Sequence, residues 1–109
     1  MRLTPKDALR LLAGSPKRRS VELFKHGSPV LEVYKPDQVD TQAPDSRDEA
    51  YIVISGSGHF VNGGVRRPFA PGEFLFVESG VEHRFEAFSK DFATWVIFFG
   101  PEGGEAGNP

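Results

Sequence analysis

The stretch that decides the fold is DEAYIVISGSGHFVNGG, residues 48–64. Its first half is rich in β-branched and aromatic residues, which favour a strand, and this run stops at a Gly-Ser-Gly turn. A second short run ends at Asn62-Gly63-Gly64, a sequence typical of a tight hairpin turn. The stretch therefore predicts consecutive short strands. It also raises a question, because two acids, Asp48 and Glu49, begin a strand that otherwise resembles core.

The rest of the chain repeats this pattern on both sides. Residues 20–36 contain two apolar runs around His26-Gly27-Ser28-Pro29, which predicts a hairpin. Residues 72–86 predict two further strands around a turn at Ser79-Gly80, and residues 92–99 a last one. This amounts to about eight short strands at turn spacings typical of an all-β sandwich or small barrel.

Residues 4–13 are the exception, since they predict a short helix. Thr4 is a suitable N-cap, Pro5 suits the first helical position, and Gly14 is expected to end the helix in a left-handed conformation. The apolar residues Ala8, Leu11 and Leu12 fall on one face. A helix this short is marginal alone, so we expect that face to dock on the barrel.

Length and composition limit the classes of function. A chain of 109 residues predicts one domain, with the barrel at about 20–104 and a flexible tail at 101–109. The net charge of −2 argues against partners such as nucleic acid or membrane. The chain has no cysteine and no apolar leader, which fits a cytoplasmic location.

Two predicted strands, residues 51–54 and 94–99, are apolar on both faces. The outer surface of a small barrel should be polar, so we expect another element or chain to bury these apolar outer faces. We expect the helix and a second copy of the chain to cover them, in a homodimer that buries Ile52, Ile54, Val96 and Phe98.

Strand alternation places Glu49 on the same side as Tyr51 and Val53. A carboxylate in such surroundings needs a donor or a cation. Arg47 or Arg84 could be an ordinary partner. His83 enters a later strand beside aromatic neighbours, where it is either a hydrogen-bonded core histidine or a ligand.

The segment from Pro44 to Phe85 resembles the cupins, small β-barrels with two sequence motifs. The second motif has the form Gly, five residues, Pro-x-Gly, two residues, His, three residues, Asn. Gly72, Gly80 and His83 match it, whereas its proline and asparagine are missing. The first motif has six residues between its glutamate and its glycine, and counting back from Gly56 across six residues gives Glu49. The resemblance implies a single-domain bacterial cupin of double-stranded β-helix (jelly-roll) type, covering about residues 20–104.

The resemblance also implies a metal site. Cupins hold one divalent ion with three histidines and this glutamate. Here Glu49 and His83 keep their positions, while Asp45 and Ala43 stand where two histidines would be, so the first motif is degenerate. The implied ligands are Asp45, Glu49 and His83, an oxygen-rich set suited to Mn²⁺, Fe²⁺ or weakly held Zn²⁺.

The implied function is the binding of a small organic ligand beside that metal. Where catalysis follows, it would be of oxygenase, isomerase or lyase type, with Tyr51 as a proton donor. The alternative is a metal-free, catalytically silent cupin that acts as a ligand-binding or structural module. The fold hosts many unrelated activities, so the resemblance assigns no substrate and does not decide whether the chain is an enzyme.

Overall fold

The computed structural model describes residues 1–105 of the chain. The elements of this part alternate strands and turns as the sequence predicts, after one initial helix. In chain order they are α1 (Pro5–Ala13), β1 (Ser20–Lys25), β2 (Val30–Tyr34), β3 (Asp48–Ser55), β4 (Gly58–Asn62), β5 (Val65–Phe69), β6 (Phe74–Val77), β7 (His83–Glu86) and β8 (Ala93–Phe99).

The strands form two antiparallel sheets. One has the order β1-β2-β8-β3-β6 and the other the order β5-β4-β7. The first sheet brings strands that are distant in sequence together, as a jelly-roll requires, and this confirms the predicted all-β jelly-roll barrel. The core between the sheets is largely aromatic and aliphatic, with Tyr51, Val53, Phe60, Phe69, Val77, Phe85, Phe92 and Val96 buried in one cluster.

Alternation along β3 places Glu49, Tyr51 and Val53 on the inner face, as expected. The matching expectation for β8 is wrong, because Val96 and Phe98 pack in the core rather than on the outer face. Their register explains this difference: Phe98 lies opposite Glu49, and Val96 opposite Tyr51, so each shares the inward direction of its neighbour.

The helix docks as expected, with one change of contact residues. Thr4 caps it in a reciprocal box with Asp7, and Ala8 and Leu12 are buried against Val33 of β2. The expectation that Leu11 shares this contact is wrong, since 46% of it is exposed. The expectation of a left-handed conformation at Gly14 is also wrong, because its φ is −72°. Its N–H donates to the Arg10 carbonyl, as in a regular helix.

The segment after β8 is tied to the barrel as far as the structure describes it. Gly103 donates its N–H to the Ser46 carbonyl, and Glu105 donates its N–H to Asp48. The predicted flexible tail therefore has an anchored first part, residues 101–105, and residues 106–109 lie outside the described residues. In the part that the structure covers, no helix has the length and apolar character needed to cross a membrane.

Candidate functional site

A cavity of about 200 Å³ opens on the inner face of the larger sheet. It brings together side chains of β1, β2, β3 and β8 with those of the loop before β3. Its lining residues are Ser20, Glu32, Tyr34, Gln42, Ala43, Asp45, Glu49, Tyr51, Val96 and Phe98. Two of the three residues proposed as metal ligands, Asp45 and Glu49, thus line one cavity.

Glu49 and His83 form a buried pair beside this cavity. Glu49 Oε1 lies 2.6 Å from His83 Nε2, and both side chains are almost fully buried. Among the described residues Oε1 has no hydrogen-bond partner of good geometry, so its contact with the imidazole is close but poorly aligned. This pairing answers the question raised by the acids of β3: Glu49 faces inward because it meets the imidazole of β7.

The surroundings of the ring indicate where its protons lie. His83 Nδ1 lies 2.9 Å from the Val81 carbonyl oxygen, which can only accept, so Nδ1 carries a proton. Nε2 faces Glu49 Oε1 and, at 3.2 Å, Gln42 Oε1, and both are acceptors when the glutamate is ionised. A proton must therefore lie between Nε2 and Oε1, because two lone pairs at 2.6 Å would repel each other.

The pKa of His83 agrees with a charged ring. Burial lowers this pKa, but the contacts with Glu49 and the Val81 carbonyl and the charges of Glu49 and Asp40 outweigh burial, so the pKa rises above 6.5. The raised pKa thus favours an imidazolium ring that faces Glu49.

Asp40 and Gln42 belong to the same network. Asp40 accepts hydrogen bonds from the Tyr34 hydroxyl at 2.5 Å, the Phe85 N–H at 2.8 Å and the Gln42 side-chain amide at 2.7 Å. This last bond orients Gln42 so that its Oε1 faces His83. Burial and the bond to Asp40 raise the pKa of Tyr34, which keeps its hydroxyl neutral.

No sequence motif marks Asp40 or Gln42 as a site residue. Asp40 and Gln42 lie in the loop 38–48, which has a polar composition and no strand or helix signal of its own. The loop folds back along the free edge of β7, and only this return brings Asp40 to the Phe85 N–H. A lone Asp or Gln in a polar loop carries no sequence signal for such a role.

Tyr51 contacts both the Glu49–His83 pair and Gln42 of the loop before β3. Its hydroxyl donates to Gln42 Oε1 at 3.1 Å and lies 3.1 Å from His83 Nε2, with the side chain fully buried. Burial, followed by the charges of Glu49 and Asp40, raises its pKa well above 10.0. The phenol stays protonated, as a proton donor must, and its catalytic role stays a prediction.

Asp45 and Asp48 both bind backbone groups. Asp45 Oδ1 accepts from the Arg47 N–H at 2.9 Å, which is the turn-capping role open to any aspartate in a loop. Asp48 is buried and accepts from the N–H groups of Ser79 and Glu105, and these bonds lower its pKa. Asp48 therefore points away from the pocket, as alternation predicts, but it joins two loops.

The arginines considered as partners of Glu49 have other contacts. Arg47 donates to the carbonyls of Gly100 and Ser28. Arg84 pairs with Glu86 at 2.6 Å. The structure therefore does not follow the alternative of an arginine partner, and the histidine of β7 takes that place.

Glu32 makes the open part of the cavity acidic. It lies directly opposite Glu22 on β1, a like-charge cross-strand pair. Its half-buried position raises its pKa, and the charges of Glu22, Asp45 and Glu49 raise it further. None of the described residues that line the cavity is basic.

These residues do not fit the metal centre that the resemblance implies. Within residues 1–105 no group of three or more His, Cys, Asp or Glu side chains is placed to hold a metal ion. Glu49 and His83 contact each other, so neither side chain is free to bind an ion. Asp45 accepts from the backbone of its own turn, and the Ala43 side chain has no ligand atom. The metal ligands Asp45, Glu49 and His83 stay a prediction.

Comparison with known proteins agrees with this architecture. Residues 30–99, more than half of the chain, match the model of the cupin domain family. The chain belongs to the cupin family. An uncharacterised protein of Streptomyces coelicolor is 36% identical over 63 residues, which cover 58% of this cupin and 60% of that relative. The aligned region thus spans less than two thirds of the relative's length.

Solved structures resemble this cupin in fold alone. KdgF from a Halomonas species has a TM-score of 0.65 at 17% identity, covering 73% of this chain and 76% of that one. An RmlC-like cupin from Shewanella frigidimarina has a TM-score of 0.61 at 15% identity, covering 73% of each. A protein from Neisseria meningitidis, at 15% identity and a TM-score of 0.67, covers 92% of this chain and 100% of its own.

Proposed function

We propose that this cupin binds a small cationic or hydroxyl-bearing organic molecule in its barrel cavity without a metal. The observation that carries this proposal is the polarity of the lining. It includes the carboxylates of Glu32, Asp45 and Glu49 and no basic side chain among the described residues. A carboxylated ligand would meet repulsion there, whereas an ammonium group or a hydroxyl donor would find acceptors.

The internal pairing sets the charge that a ligand would meet. Glu49 and His83 neutralise each other, so Glu32 and Asp45 supply the remaining negative charge. The Tyr34 hydroxyl donates to Asp40, so its oxygen can still accept from a ligand. The Tyr51 hydroxyl already lies between Gln42 and His83. The cavity, at about 200 Å³, has the volume of roughly seven water molecules. A ligand that fits wholly inside is therefore small.

Ligand binding is tested by thermal shift and isothermal titration with three probes of similar size: putrescine, glycerol and succinate. We expect putrescine or glycerol to raise the melting temperature, and succinate to leave it unchanged. Glu32→Gln should weaken putrescine binding about fivefold, the size of one half-exposed charge contact. Glu82→Gln, at an exposed glutamate outside the cavity, is the matched control. Binding of succinate alone, or of none of the three, would refute the proposal.

The metal-dependent cupin is the second candidate, favoured by the shared cavity of Asp45 and Glu49 and the contact of Glu49 with His83. Metal analysis of protein purified without chelator, followed by titration with Mn²⁺ and Zn²⁺, separates the two. The metal-free proposal requires no stoichiometric binding. Binding of one ion that is lost in Glu49→Gln and kept in Glu82→Gln would establish the metal centre instead.

We also propose that the chain forms a homodimer through the outer face of the larger sheet. Helix α1 covers the part around Val33 and Trp95, but Ile52, Phe74 and Phe76 remain 38%, 64% and 41% exposed. Phe74 lies opposite Ile52 in the β3–β6 register, so these side chains form one patch. A second copy is the simplest cover for an uncharged sheet face of this kind.

A further inference from the structure

A second concave site, distinct from the barrel cavity, lies between the end of α1 and the barrel. Its volume is about 890 Å³. Apolar residues from three separate segments line it: Leu9, Leu12, Ala13, Pro16, Pro36 and Phe88. This groove reaches Ser55 at the end of β3, whereas Glu49 lies near the start of that strand. Six residues of extended strand separate the two by about 20 Å.

The charges around this groove are opposite in sign to those of the barrel cavity. Four basic residues, Arg18, Arg19, Lys35 and Lys90, line it, against two acids, Asp37 and Asp91. The barrel cavity has three acids and, among its described lining residues, no base. One small chain thus presents an acidic pocket and a separate basic groove.

The contacts within the groove show which cations remain available. Arg19 pairs with Asp37 at 3.4 Å, and Lys35 Nζ donates to the carbonyls of Lys90 and Phe92. Asp91 accepts from the Ser89 hydroxyl. Arg18 and Lys90 make no ion pair with any residue from 1 to 105.

We propose that this groove binds an amphipathic carboxylate, a molecule with one anionic head and an apolar chain. The volume falls in the range of small-molecule sites, and the apolar lining residues would take the chain. Arg18 and Lys90 would take the head, since neither forms an ion pair within residues 1–105 and Lys90 Nζ can donate three hydrogen bonds. This site is independent of the proposed barrel ligand, because no residue lines both cavities.

The probe is decanoate below its micellar concentration, followed by isothermal titration and by amide chemical shifts of the labelled protein. Decanoate should bind, with shifts at Ser15–Arg19 and Phe88–Asp91. Decyltrimethylammonium, which has the same chain and the opposite charge, should bind at least tenfold more weakly. Acetate, which has the head without the chain, should not bind measurably.

Two charge reversals, Arg18→Glu and Lys90→Glu, should each weaken decanoate binding about fivefold, the upper size of an exposed charge contact. Lys6→Glu, on an exposed part of α1 outside the groove, is the matched control and should bind as wild type. All three positions are exposed, so the fold should survive, and circular dichroism checks this. Equal binding of the cationic detergent, equal weakening by Lys6→Glu, or shifts confined to the barrel cavity would each overturn the proposal.

Discussion

Replacement of Glu49 by glutamine tests the buried pair most directly. The substitution keeps the shape of the side chain and removes the charge that faces His83 at 2.6 Å. Removal of one partner from a buried ion pair typically destabilises a protein by about 3–5 kcal/mol, because the other charge stays buried. The new amide can recover a neutral hydrogen bond of about 1 kcal/mol. We therefore expect a loss of roughly 2–4 kcal/mol where His83 is charged.

The loss should depend on pH with a defined sign. The folded-state pKa of His83 lies above 6.5, so the stability that its charge contributes is fully present below pH 6.5. This contribution disappears as the pH rises through the folded-state pKa. In Glu49→Gln, burial without a carboxylate should instead lower the pKa of His83, so the variant becomes less stable as the pH falls. The difference between the two proteins should be largest near pH 5.5 and smallest near pH 9.

Urea unfolding followed by Trp95 fluorescence measures this difference, since Trp95 is the only tryptophan and packs against the helix cluster. Measurements at pH 5.5, 7 and 9 on wild type, Glu49→Gln and the exposed control Glu82→Gln give the profile. The control should stay within about 0.5 kcal/mol of wild type at each pH. A Glu49→Gln loss that is constant with pH, or that grows toward pH 9, would refute the assignment of a charged His83.

Three further predictions concern the fold and its surfaces. Leu12→Ala should destabilise the protein by about 2–5 kcal/mol in the same assay, while Leu11→Ala should change little, since only Leu12 is buried. Gly56→Ala should lower the melting temperature more than Gly72→Ala does. Both glycines have φ above 80°, but only at Gly56 would an added Cβ clash with backbone, at 2.5 Å from Phe92 Cα. Light scattering should show a wild-type dimer and a Phe74→Asp monomer, and a wild-type monomer at micromolar concentration would count against the proposed interface.

Local sequence signals determined the secondary structure and the family. Strand composition and turn residues predict eight strands, and the structure has eight in its described part. The period of two placed Glu49 and Tyr51 on one inner face without any knowledge of neighbouring strands. Motif spacing identified Glu49 and His83 as related positions, and the fold brings them into contact across 34 residues of chain, from 49 to 83.

Alternation was insufficient where both faces of a strand are apolar. In β8 every second residue from Thr94 to Phe98 is inward, but the pattern Thr-Trp-Val-Ile-Phe looks the same from either side. Only the pairing with β3 distinguishes the faces, because it aligns Phe98 with Glu49. The same limit applied to the helix, because residue type alone does not tell Leu9 from Leu11. Leu9 packs against the cluster that joins the helix to the sheet, whereas Leu11 is left exposed.

The chemistry of the site was decided by tertiary contacts alone. The sequence offered arginines or a metal as partners for Glu49, and all are chemically reasonable for a buried carboxylate. The fold places the arginine heads on backbone carbonyls and other glutamates, and places an imidazole within 2.6 Å. Asp40 and Gln42 complete the network from a loop whose path depends on the strands that it crosses. Proton position and local charge depend on such distances, and a linear pattern of residue types does not contain them.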